Sequence, residues 1–329
     1  MSPLDTRDSC FEIPLPKEFR FQHCLDYLSR SPNECLYEIE DRQIIRLLRI
    51  DGKKTLVRIG CPDDLHLQVT TMQGRSAGDK VKAEAAGFVR DWFDLERDLG
   101  QFYRMAEVDP LLSDLGKKFY GLRLVGIPDL FEALCWAIMG QQVNLAFAYK
   151  LKQRLTETFG DSLEWDGRTY RLFPLPDEIA GASLSDLCGL QLTKMKAAAI
   201  LEAADLMQRG VLSRARLLSL GSFDAAQQEL LRIRGVGPWT AHYVRMRCLR
   251  DPSAFPIGDA GLRNAVKERL ALGRKPTVRE LQALFFADWT GWEAYATFFA
   301  VAVLILIYIV ELKFEIDWVT YQVNRKSSR

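Results

Sequence analysis

The sequence has few of the residues that build metal sites or disulfide frameworks. It contains three histidines, and its seven cysteines are scattered, with Cys24 and Cys35 as the closest pair. This spacing excludes CxxC zinc sites and tightly spaced iron–sulfur clusters, and it fits the reduced thiols of a cytoplasmic protein. We therefore expect a cytoplasmic location and no histidine-rich metal site.

An excess of charge of either sign is also absent. The chain has 44 Lys+Arg against 43 Asp+Glu, which argues against a broadly basic nucleic-acid binder but leaves room for a local basic face. Acidic residues stand at the N-terminus where a signal peptide has a basic stretch and then an apolar one, so we expect neither secretion nor a membrane partner. The 48% hydrophobic and 26% charged residues are typical of a globular protein, and 329 residues favour two domains.

Strand signals are concentrated near the N-terminus. Alternating or apolar runs between residues 36 and 70 predict several strands, and Asp51-Gly52 between two of them is a strong hairpin signal. Only residues 164–173 suggest strands later in the chain, as a small hairpin. These runs predict a small antiparallel sheet.

Helical periodicity dominates the rest of the sequence. Apolar residues from Val81 to Phe93 fall on one helical stripe, and no internal repeat of fixed period is visible. We predict an α+β domain, a small antiparallel sheet with helices, over residues 1–115. An all-α domain should follow over residues 116–329.

A glycine-containing turn near residue 235 joins two of the predicted helices. Ser222 can cap the first helix, Gly235 can end it in the left-handed conformation, and Pro238 suits the first turn of the second helix. The free N–H groups of that turn would point toward an anion. Five arginines and no acidic residue lie between positions 230 and 250, namely Arg232, Arg234, Arg245, Arg247 and Arg250. This pattern indicates a grip on DNA phosphates, with a tight turn between two core helices as the alternative.

The segment at about 224–250 resembles the helix–hairpin–helix motif of DNA glycosylases, specifically the DNA-3-methyladenine glycosylase II (alkylpurine) branch. Further stretches carry the same resemblance over about residues 120–297, namely residues 121–123, 137–143, 192–197, 254–263 and 289–296. The resemblance implies an all-α helix–hairpin–helix glycosylase core after the sheet domain. It also implies a monofunctional enzyme of base excision repair.

Such an enzyme flips alkylated purines of the 3-methyladenine or 7-methylguanine type out of duplex DNA and hydrolyses the N-glycosidic bond. Its partner would be double-stranded DNA containing alkylated bases. We expect a monomer that requires no cofactor.

Asp259 stands 22 residues after Gly237, where the resemblance places the catalytic aspartate. A carboxylate there would stabilise positive charge on the sugar and orient or deprotonate the attacking water. Taken alone, Asp259 would be interpreted as a helix N-cap. Trp239 occupies the position of the lysine in lyase-competent relatives, so the resemblance implies hydrolysis without Schiff-base chemistry.

The resemblance also indicates which residues contact the base and the DNA. The expected base pocket consists of Trp239, Trp292, Trp136 and Tyr243, with Phe255 and Trp289 as weaker candidates. For each aromatic residue, a place in the hydrophobic core is the alternative. Gln142 is expected to fill the gap left by the flipped nucleotide, or else to be a surface amide.

The turn itself supplies the expected contacts to the DNA backbone, which are Gly235, Val236, Gly237 and Thr240. The resemblance further implies a structural Na⁺ or K⁺ held by three backbone carbonyls, those of Leu231, Ile233 and Val236. Carbonyl ligands leave no side-chain signal, so the residues themselves neither support nor oppose this site.

After Ala296 the sequence departs from the resemblance, because Val301 stands where a further tryptophan is usual. Residues 294–310 carry no charge, and a helix of that length is just too short for a bilayer. The segment is interpreted first as a buried terminal helix. A tail altered by a shifted reading frame, a membrane or partner-binding segment, and a strand (with residues 311–317) are the alternatives. We expect this departure to affect the stability of the tail more than the chemistry.

Three other functions remain open from the sequence. A related glycosylase could act on oxidised or deaminated bases, and a non-catalytic module could use the hairpin only to hold duplex DNA. A membrane-tethered protein built around residues 294–310 is the third.

Overall fold

The computed structural model describes residues 10–73, 78–285 and 288–302. The predicted terminal helix and the alternative strand depend in part on residues 303–317, which lie outside the described residues. The strands are β1 (Cys10–Pro14), β2 (Tyr37–Glu40), β3 (Gln43–Ile50), β4 (Lys53–Gly60), β5 (His66–Thr71), β6 (Ser162–Trp165) and β7 (Arg168–Arg171).

The first eight helices of the described chain are α1 (Phe21–Leu28), α2 (Asp79–Phe93), α3 (Gly100–Val108), α4 (Ser113–Lys118), α5 (Leu130–Gly140), α6 (Leu145–Phe159), α7 (Pro176–Ala180) and α8 (Leu184–Gly189). They are followed by α9 (Lys194–Gln208), α10 (Arg214–Ser219), α11 (Phe223–Leu231), α12 (Pro238–Arg247), α13 (Ala260–Arg269) and α14 (Val278–Phe285). Residues 293–302 are also helical. The predicted fold class, an antiparallel α+β unit followed by a helical core, is confirmed.

The first five strands form one antiparallel sheet in the order β1-β5-β4-β3-β2. Asp51 and Gly52 both have positive φ (48° and 71°), which is the left-handed two-residue turn that their sequence predicts between β3 and β4. Leu67 and Val69 alternate with polar residues on β5, and both are fully buried against the helices. Strand β1 is the one strand of this sheet that the sequence pattern did not reveal.

The small hairpin that the pattern predicted is present as β6–β7, and it covers the second face of the sheet. Tyr170 and Leu172 pack against Ile45, Leu47 and Leu56 of the sheet. Ion pairs join the rims of the two sheets, from Arg168 to Glu38 and Glu40 and from Lys54 to Asp161. A strand pair far along the chain therefore shields the outer face of the N-terminal sheet from water.

Two large hydrophobic clusters divide the rest of the interior. The helical cluster is formed by residues between 127 and 249. The other cluster joins the sheet and α1–α4 to residues between 246 and 302, including Leu262, Leu281 and Phe299. The predicted boundary at residue 115 therefore does not separate the two cores, because the C-terminal helices pack back on the N-terminal domain.

A buried network of four charged side chains links the sheet to the helical cluster. Lys152 on α6 contacts Glu34 and Glu132 at 3.1 Å each, and Arg46 on β3 contacts Glu132 at 3.4 Å. The two positive and two negative charges balance. Among the described residues, no helix combines the length and apolar content that a bilayer crossing requires.

Candidate active site

The predicted helix–turn–helix geometry is present between α11 and α12. The Ser222 hydroxyl caps α11 by accepting the N–H of Ala225 at 3.1 Å, and the helix ends at Leu231. Gly235 has φ +91°, the left-handed conformation that favours glycine, although it lies four residues beyond the last residue of the helix rather than next to it. Gly237 caps α12, and Pro238 is its first residue.

The two glycines of this turn meet different constraints. The positive φ of Gly235 favours glycine, and a Cβ there would make a tight contact, 3.1 Å from the Cβ of Ala199. Gly237 has an ordinary φ of −94°, and a Cβ there would meet no protein atom within 4 Å. Nothing within the fold requires glycine at position 237, and the open space leaves its backbone accessible to a partner.

The other two predicted DNA contacts in the turn can use only their backbone. The side chain of Val236 is buried in the helical cluster, and that of Thr240 is 2% exposed. In a helix beginning at Pro238, the N–H groups of Trp239 and Thr240 have no partner within the helix. The N-terminus of α12 thus offers backbone donors, while the Thr240 hydroxyl faces inward.

The predicted basic surround of the turn is smaller than the sequence suggests. Arg245 and Arg247 are 3% and 4% exposed, and Arg245 forms an ion pair with Asp251 at 2.6 Å. Arg250 contacts Asp94 at 3.4 Å. Only Arg232 and Arg234 of the five arginines are exposed, and Arg232 contacts Glu229. The prediction of a basic surround built from all five arginines was wrong, because Arg245 and Arg250 pair with acidic residues outside the window 230–250 and Arg247 is buried against tyrosine hydroxyls.

The three carbonyls proposed to hold a cation lie in the same turn. The carbonyl of Ile233 accepts the N–H of Val236 at 3.0 Å, which leaves it one lone pair. In the described chain, no backbone N–H in the turns and loops donates a hydrogen bond to the carbonyl of Leu231 or to that of Val236. The donor set fits a monovalent cation, whose usual ligands are oxygens.

Asp259 is both a helix cap and part of a cavity wall. Its Oδ1 accepts the N–H of Leu262 at 3.0 Å, which caps α13. Its Oδ2 accepts the indole Nε1–H of Trp239 at 3.1 Å. Two donors from different helices therefore fix the carboxylate, one on each oxygen, and the bond from Trp239 is a role that the sequence did not reveal.

A cavity of about 1070 Å³ lies between the turn, α5, α13 and the C-terminal helical segment. It is at the upper end of the roughly 300–1,000 Å³ typical of small-molecule sites. The predicted catalytic residue and three of the predicted pocket residues line it together: Asp259, Trp239, Trp136 and Tyr243. The Trp239 and Tyr243 rings are 5.3 Å apart, and the Trp136 Nε1–H donates to the Tyr243 hydroxyl at 2.8 Å.

Trp292 does not join this group. Its ring lies 5.9 Å from that of Phe102 and 6.0 Å from that of Tyr295, within the cluster around the N-terminal domain. The weaker candidates Phe255 and Trp289 pack against each other at 5.8 Å in the same cluster. The prediction of Trp292 as a pocket wall is corrected, since the helical segment turns that side chain toward α3.

Two polar residues hold the end of α5, Gln141 to the turn and Lys196 to α9, and the sequence did not single out either. The Gln141 amide donates to the Gly235 carbonyl at 3.0 Å and to the Thr240 hydroxyl at 2.9 Å. Lys196 donates to the carbonyls of Met139 and Gln141 at the end of α5, and burial lowers its pKa. Gln142, the predicted wedge, is exposed at the cavity with φ +54°.

The C-terminal segment contributes more to the site than the sequence suggests. Residues 293–302 form a buried helix, as the first interpretation predicted for this part of the chain. Thr297, Phe298, Val301 and Ala302 line the cavity. Val301, where the sequence departs from the resemblance, therefore lies on the cavity wall, and the expectation that this departure affects the stability of the tail more than the chemistry stays a prediction.

The N-terminal domain supplies two further wall residues that the sequence gave no reason to select. Tyr27 lies in the last turn of α1 and Arg30 follows the helix, and both line the cavity. They lie more than 200 residues before Asp259 in the chain, so no local pattern could connect them.

Two family models match consecutive parts of the chain. One, described as the N-terminal domain of 8-oxoguanine DNA glycosylase, matches residues 13–134. The other, described as HhH-GPD superfamily base excision DNA repair protein, matches residues 135–289. The two matches meet between residues 134 and 135, in the middle of α5.

Sequence relatives cover most of the chain. A protein of Bacillus subtilis (strain 168) named DNA-3-methyladenine glycosylase is 44% identical over 293 residues, which is 89% of this chain and 96% of the relative. DNA-3-methyladenine glycosylase 2 of Escherichia coli (strain K12) is 31% identical over 223 residues, 67% of this chain and 72% of the relative.

Solved structures share the fold at lower identity. A 3-methyladenine DNA glycosylase from Archaeoglobus fulgidus superposes with a TM-score of 0.77 at 22% identity, covering 91% of this chain and 99% of that one. The apo-form of the Clostridium acetobutylicum 8-oxoguanine glycosylase/lyase gives 0.69 at 19% identity, covering 89% and 96%. By its family models and its relatives, the chain belongs to the HhH-GPD superfamily of base excision DNA repair proteins.

Proposed function

We propose that this protein is a monofunctional DNA glycosylase that acts as a cytoplasmic monomer. It flips an alkylated purine out of duplex DNA into the cavity beside Asp259 and hydrolyses the N-glycosidic bond, which leaves an abasic site. The names of the relatives from Bacillus subtilis and Escherichia coli support 3-methyladenine-type substrates. The single observation that carries the proposal is the fixed Asp259 carboxylate on the wall of a cavity next to the turn.

The reaction needs a negative charge at one point. As the bond from C1′ to the purine nitrogen breaks, its electron pair leaves with the base and positive charge develops on the sugar. The Asp259 carboxylate stabilises that charge in a partly enclosed cavity. A water oxygen then bonds to C1′, and its proton passes through Asp259 to solvent. An alkylated purine that carries a positive charge leaves as a neutral base, so no second acid is required.

The hydrogen bonds of Asp259 suit this task. The N–H of Leu262 and the indole of Trp239 hold the two oxygens before substrate arrives, so the carboxylate need not reorganise during the reaction. The rings of Trp239, Tyr243 and Trp136 surround the space and offer aromatic surface for a flipped base. Each of these side chains is itself held by a bond or ring contact to another.

DNA would be held at the turn. The free backbone donors at the N-terminus of α12 suit a phosphate, and Gly237 leaves room for the sugar-phosphate chain to approach. Gln142, exposed at the cavity mouth, would occupy the gap in the duplex and bond the unpaired base. A Na⁺ or K⁺ on the carbonyls of Leu231, Ile233 and Val236 would add positive charge to this grip.

The proposed absence of lyase activity rests on the residues at the cavity. Position 239 is tryptophan, and among the described residues that line the cavity there is no lysine. Lys196 is the nearby candidate, since burial lowers its pKa, but its amine donates to two carbonyls at the end of α5. Borohydride should therefore trap no covalent complex with abasic DNA. A trapped adduct that disappears in Lys196→Met would assign lyase chemistry to that residue.

The decisive experiment compares the wild-type protein with Asp259→Asn on a duplex containing 7-methylguanine. The variant keeps the shape of the side chain and should still bind DNA, while base release falls by at least a hundredfold. Undiminished release would remove Asp259 from the mechanism. Absence of release by either protein, with intact DNA binding, would favour a non-catalytic module.

A second candidate substrate class follows from the family model that matches residues 13–134, which is named for 8-oxoguanine DNA glycosylase. A glycosylase for oxidised purines would use the same cavity. Release of 8-oxoguanine without release of any alkylated purine would replace the alkylpurine assignment and leave the role of Asp259 intact.

A further inference from the structure

The cavity beside Asp259 carries more positive than negative charge. Its charged wall residues in the described chain are Arg30, Arg247 and Asp259. The formal sum is one net positive charge. An aromatic pocket that selects a base for its positive charge should carry an excess of negative charge, because like charges repel in a poorly hydrated space.

Neither arginine is neutralised by an acidic residue in the described part of the chain. Arg247 Nη1 donates to the hydroxyls of Tyr27 at 3.0 Å and Tyr243 at 2.8 Å, and its Nε has no partner although the residue is 4% exposed. Arg30 Nη1 donates to the Tyr27 carbonyl at 2.9 Å, and its guanidinium lies 4.0 Å from the centre of the Tyr27 ring. Their bonds thus go to neutral phenol and carbonyl oxygens.

The acidic residues behind the arginines are already paired. A second, small cavity shares Arg30, Arg247 and Trp136 with the first, and Glu34 and Glu132 line it. Those two carboxylates bind Lys152 and Arg46 in the balanced network described above. The arginines therefore form a wall whose charge is not cancelled from behind.

The phenol between the arginines responds to their charge. Burial acts to raise the pKa of Tyr27, but the charges of Arg247 and Arg30 outweigh it and hold that pKa below its ordinary value of 10.0. Burying a guanidinium without a counter-charge is costly, and such groups gain most from a ligand that presents hydrogen-bond acceptors.

We propose that Arg30 and Arg247 are specificity-determining residues that bind the 6-oxo edge of the flipped purine. This inference rests on the proposed glycosylase function. Guanidinium donors pair with the O6 and N7 acceptors of an oxopurine in DNA recognition generally. A 6-amino group presents donors instead, and a cationic base adds repulsion. The favoured substrates are 6-oxopurine lesions. Neutral hypoxanthine, which offers both O6 and N7, is favoured most strongly by this wall, and 7-methylguanine, whose methylated N7 leaves only O6 as an acceptor on this edge, is favoured over 3-methyladenine.

Four duplexes separate the two effects, because they vary the charge of the base and its 6-oxo group independently. Hypoxanthine is neutral with a 6-oxo group, and 7-methylguanine is cationic with one. Ethenoadenine is neutral without a 6-oxo group, and 3-methyladenine is cationic without one. Single-turnover release is measured for the wild-type protein and for Arg247→Met and Arg30→Met. Taking the ratio of variant to wild type for each base cancels the different intrinsic stabilities of the four glycosidic bonds.

The expected result is a change that depends on the base. Arg247→Met should lower hypoxanthine release at least tenfold and 7-methylguanine release less, while 3-methyladenine release is unchanged or faster. Arg30→Met should act in the same direction. Arg247→Lys keeps the positive charge but loses the planar pair of donors. It should therefore release 3-methyladenine as slowly as the wild-type protein does, and it should lose most of the acceleration of hypoxanthine release.

A control variant and a stability measurement keep the test independent of folding. Arg209→Met removes an exposed arginine that pairs with Asp205 far from the cavity. Arg209→Met should alter none of the four rates, and thermal unfolding reports the stability of every variant. An equal loss on all four duplexes would overturn the proposal and leave the arginines a structural role. Failure of the glycosylase function would look different, since the wild-type protein would then release none of the four bases.

Discussion

Replacing Trp239 by phenylalanine tests whether the indole acts through Asp259. The change keeps an aromatic ring on the cavity wall and removes the Nε1–H that lies 3.1 Å from Asp259 Oδ2. A hydrogen bond to a charged group contributes about 1.5–3 kcal/mol. If that bond holds the carboxylate in place for the transition state, its loss slows base release about 10- to 150-fold, at about 1.4 kcal/mol per tenfold.

The assay is single-turnover release of 7-methylguanine from a duplex, with DNA affinity measured separately. Affinity should change little, because the surface for the flipped base remains. Combining Trp239→Phe with Asp259→Asn should slow release no further than Asp259→Asn alone, since the indole then has no carboxylate to orient. Trp165→Phe, on β6 in the small hairpin, is the matched control and should be silent. Additive effects of the two site substitutions, or an unchanged rate in Trp239→Phe, would refute the reasoning.

Four further substitutions have distinct expected outcomes. Gly235→Ala should lower the free energy of unfolding by about 1–3 kcal/mol because of its φ of +91°. Gly237→Ala should leave the free energy of unfolding unchanged and weaken DNA binding. The reverse pattern in denaturant titrations and binding assays would contradict both assignments. Gln141→Ala should cost about 1–3 kcal/mol in the same titration by removing two bonds to the turn, and an unchanged midpoint would count against that link. Burial and then Arg245 lower the pKa of His242, whose Nδ1 accepts the N–H of Phe255. The unfolded chain therefore binds the proton more tightly than the folded chain, and the free energy of unfolding should fall as pH drops below 6.5. His242→Asn should flatten that fall, and an identical slope in the variant would exclude His242 as its source.

Local signals in the sequence were sufficient for the parts of the site that depend on neighbouring residues. Asp51-Gly52 predicted its left-handed turn because the backbone conformation depends on those two residues alone. Pro238 and Ser222 likewise marked helix starts that the structure contains. Asp259 could be placed as a cap by the same logic, and the resemblance added its proposed role.

Contacts between distant residues account for what the sequence did not reveal. Arg245 has no acidic neighbour within residues 230–250, yet it forms an ion pair with Asp251. Arg250 forms an ion pair with Asp94, which lies more than 150 residues earlier in the chain. Tyr27 and Arg30 reach the cavity only because α1 packs beside α12 and the C-terminal segment. Trp292 belonged to a motif, but the direction of its ring depends on packing against Phe102. Periodicity assigns a residue to a face, and tertiary packing decides what that face meets.

The helical segment 293–302 has a wider consequence for how this protein tolerates change. Phe299 is buried among the aromatic rings of the N-terminal domain, while Val301 and Phe298 of the same short segment lie on the cavity wall. Core packing in proteins transmits strain because it leaves few voids. Substitutions in α3, remote from Asp259, should therefore alter base release as well as folding. Directed evolution of substrate range in this chain has two places to act: the lining itself, and the scaffold residues that set the position of the last described helix.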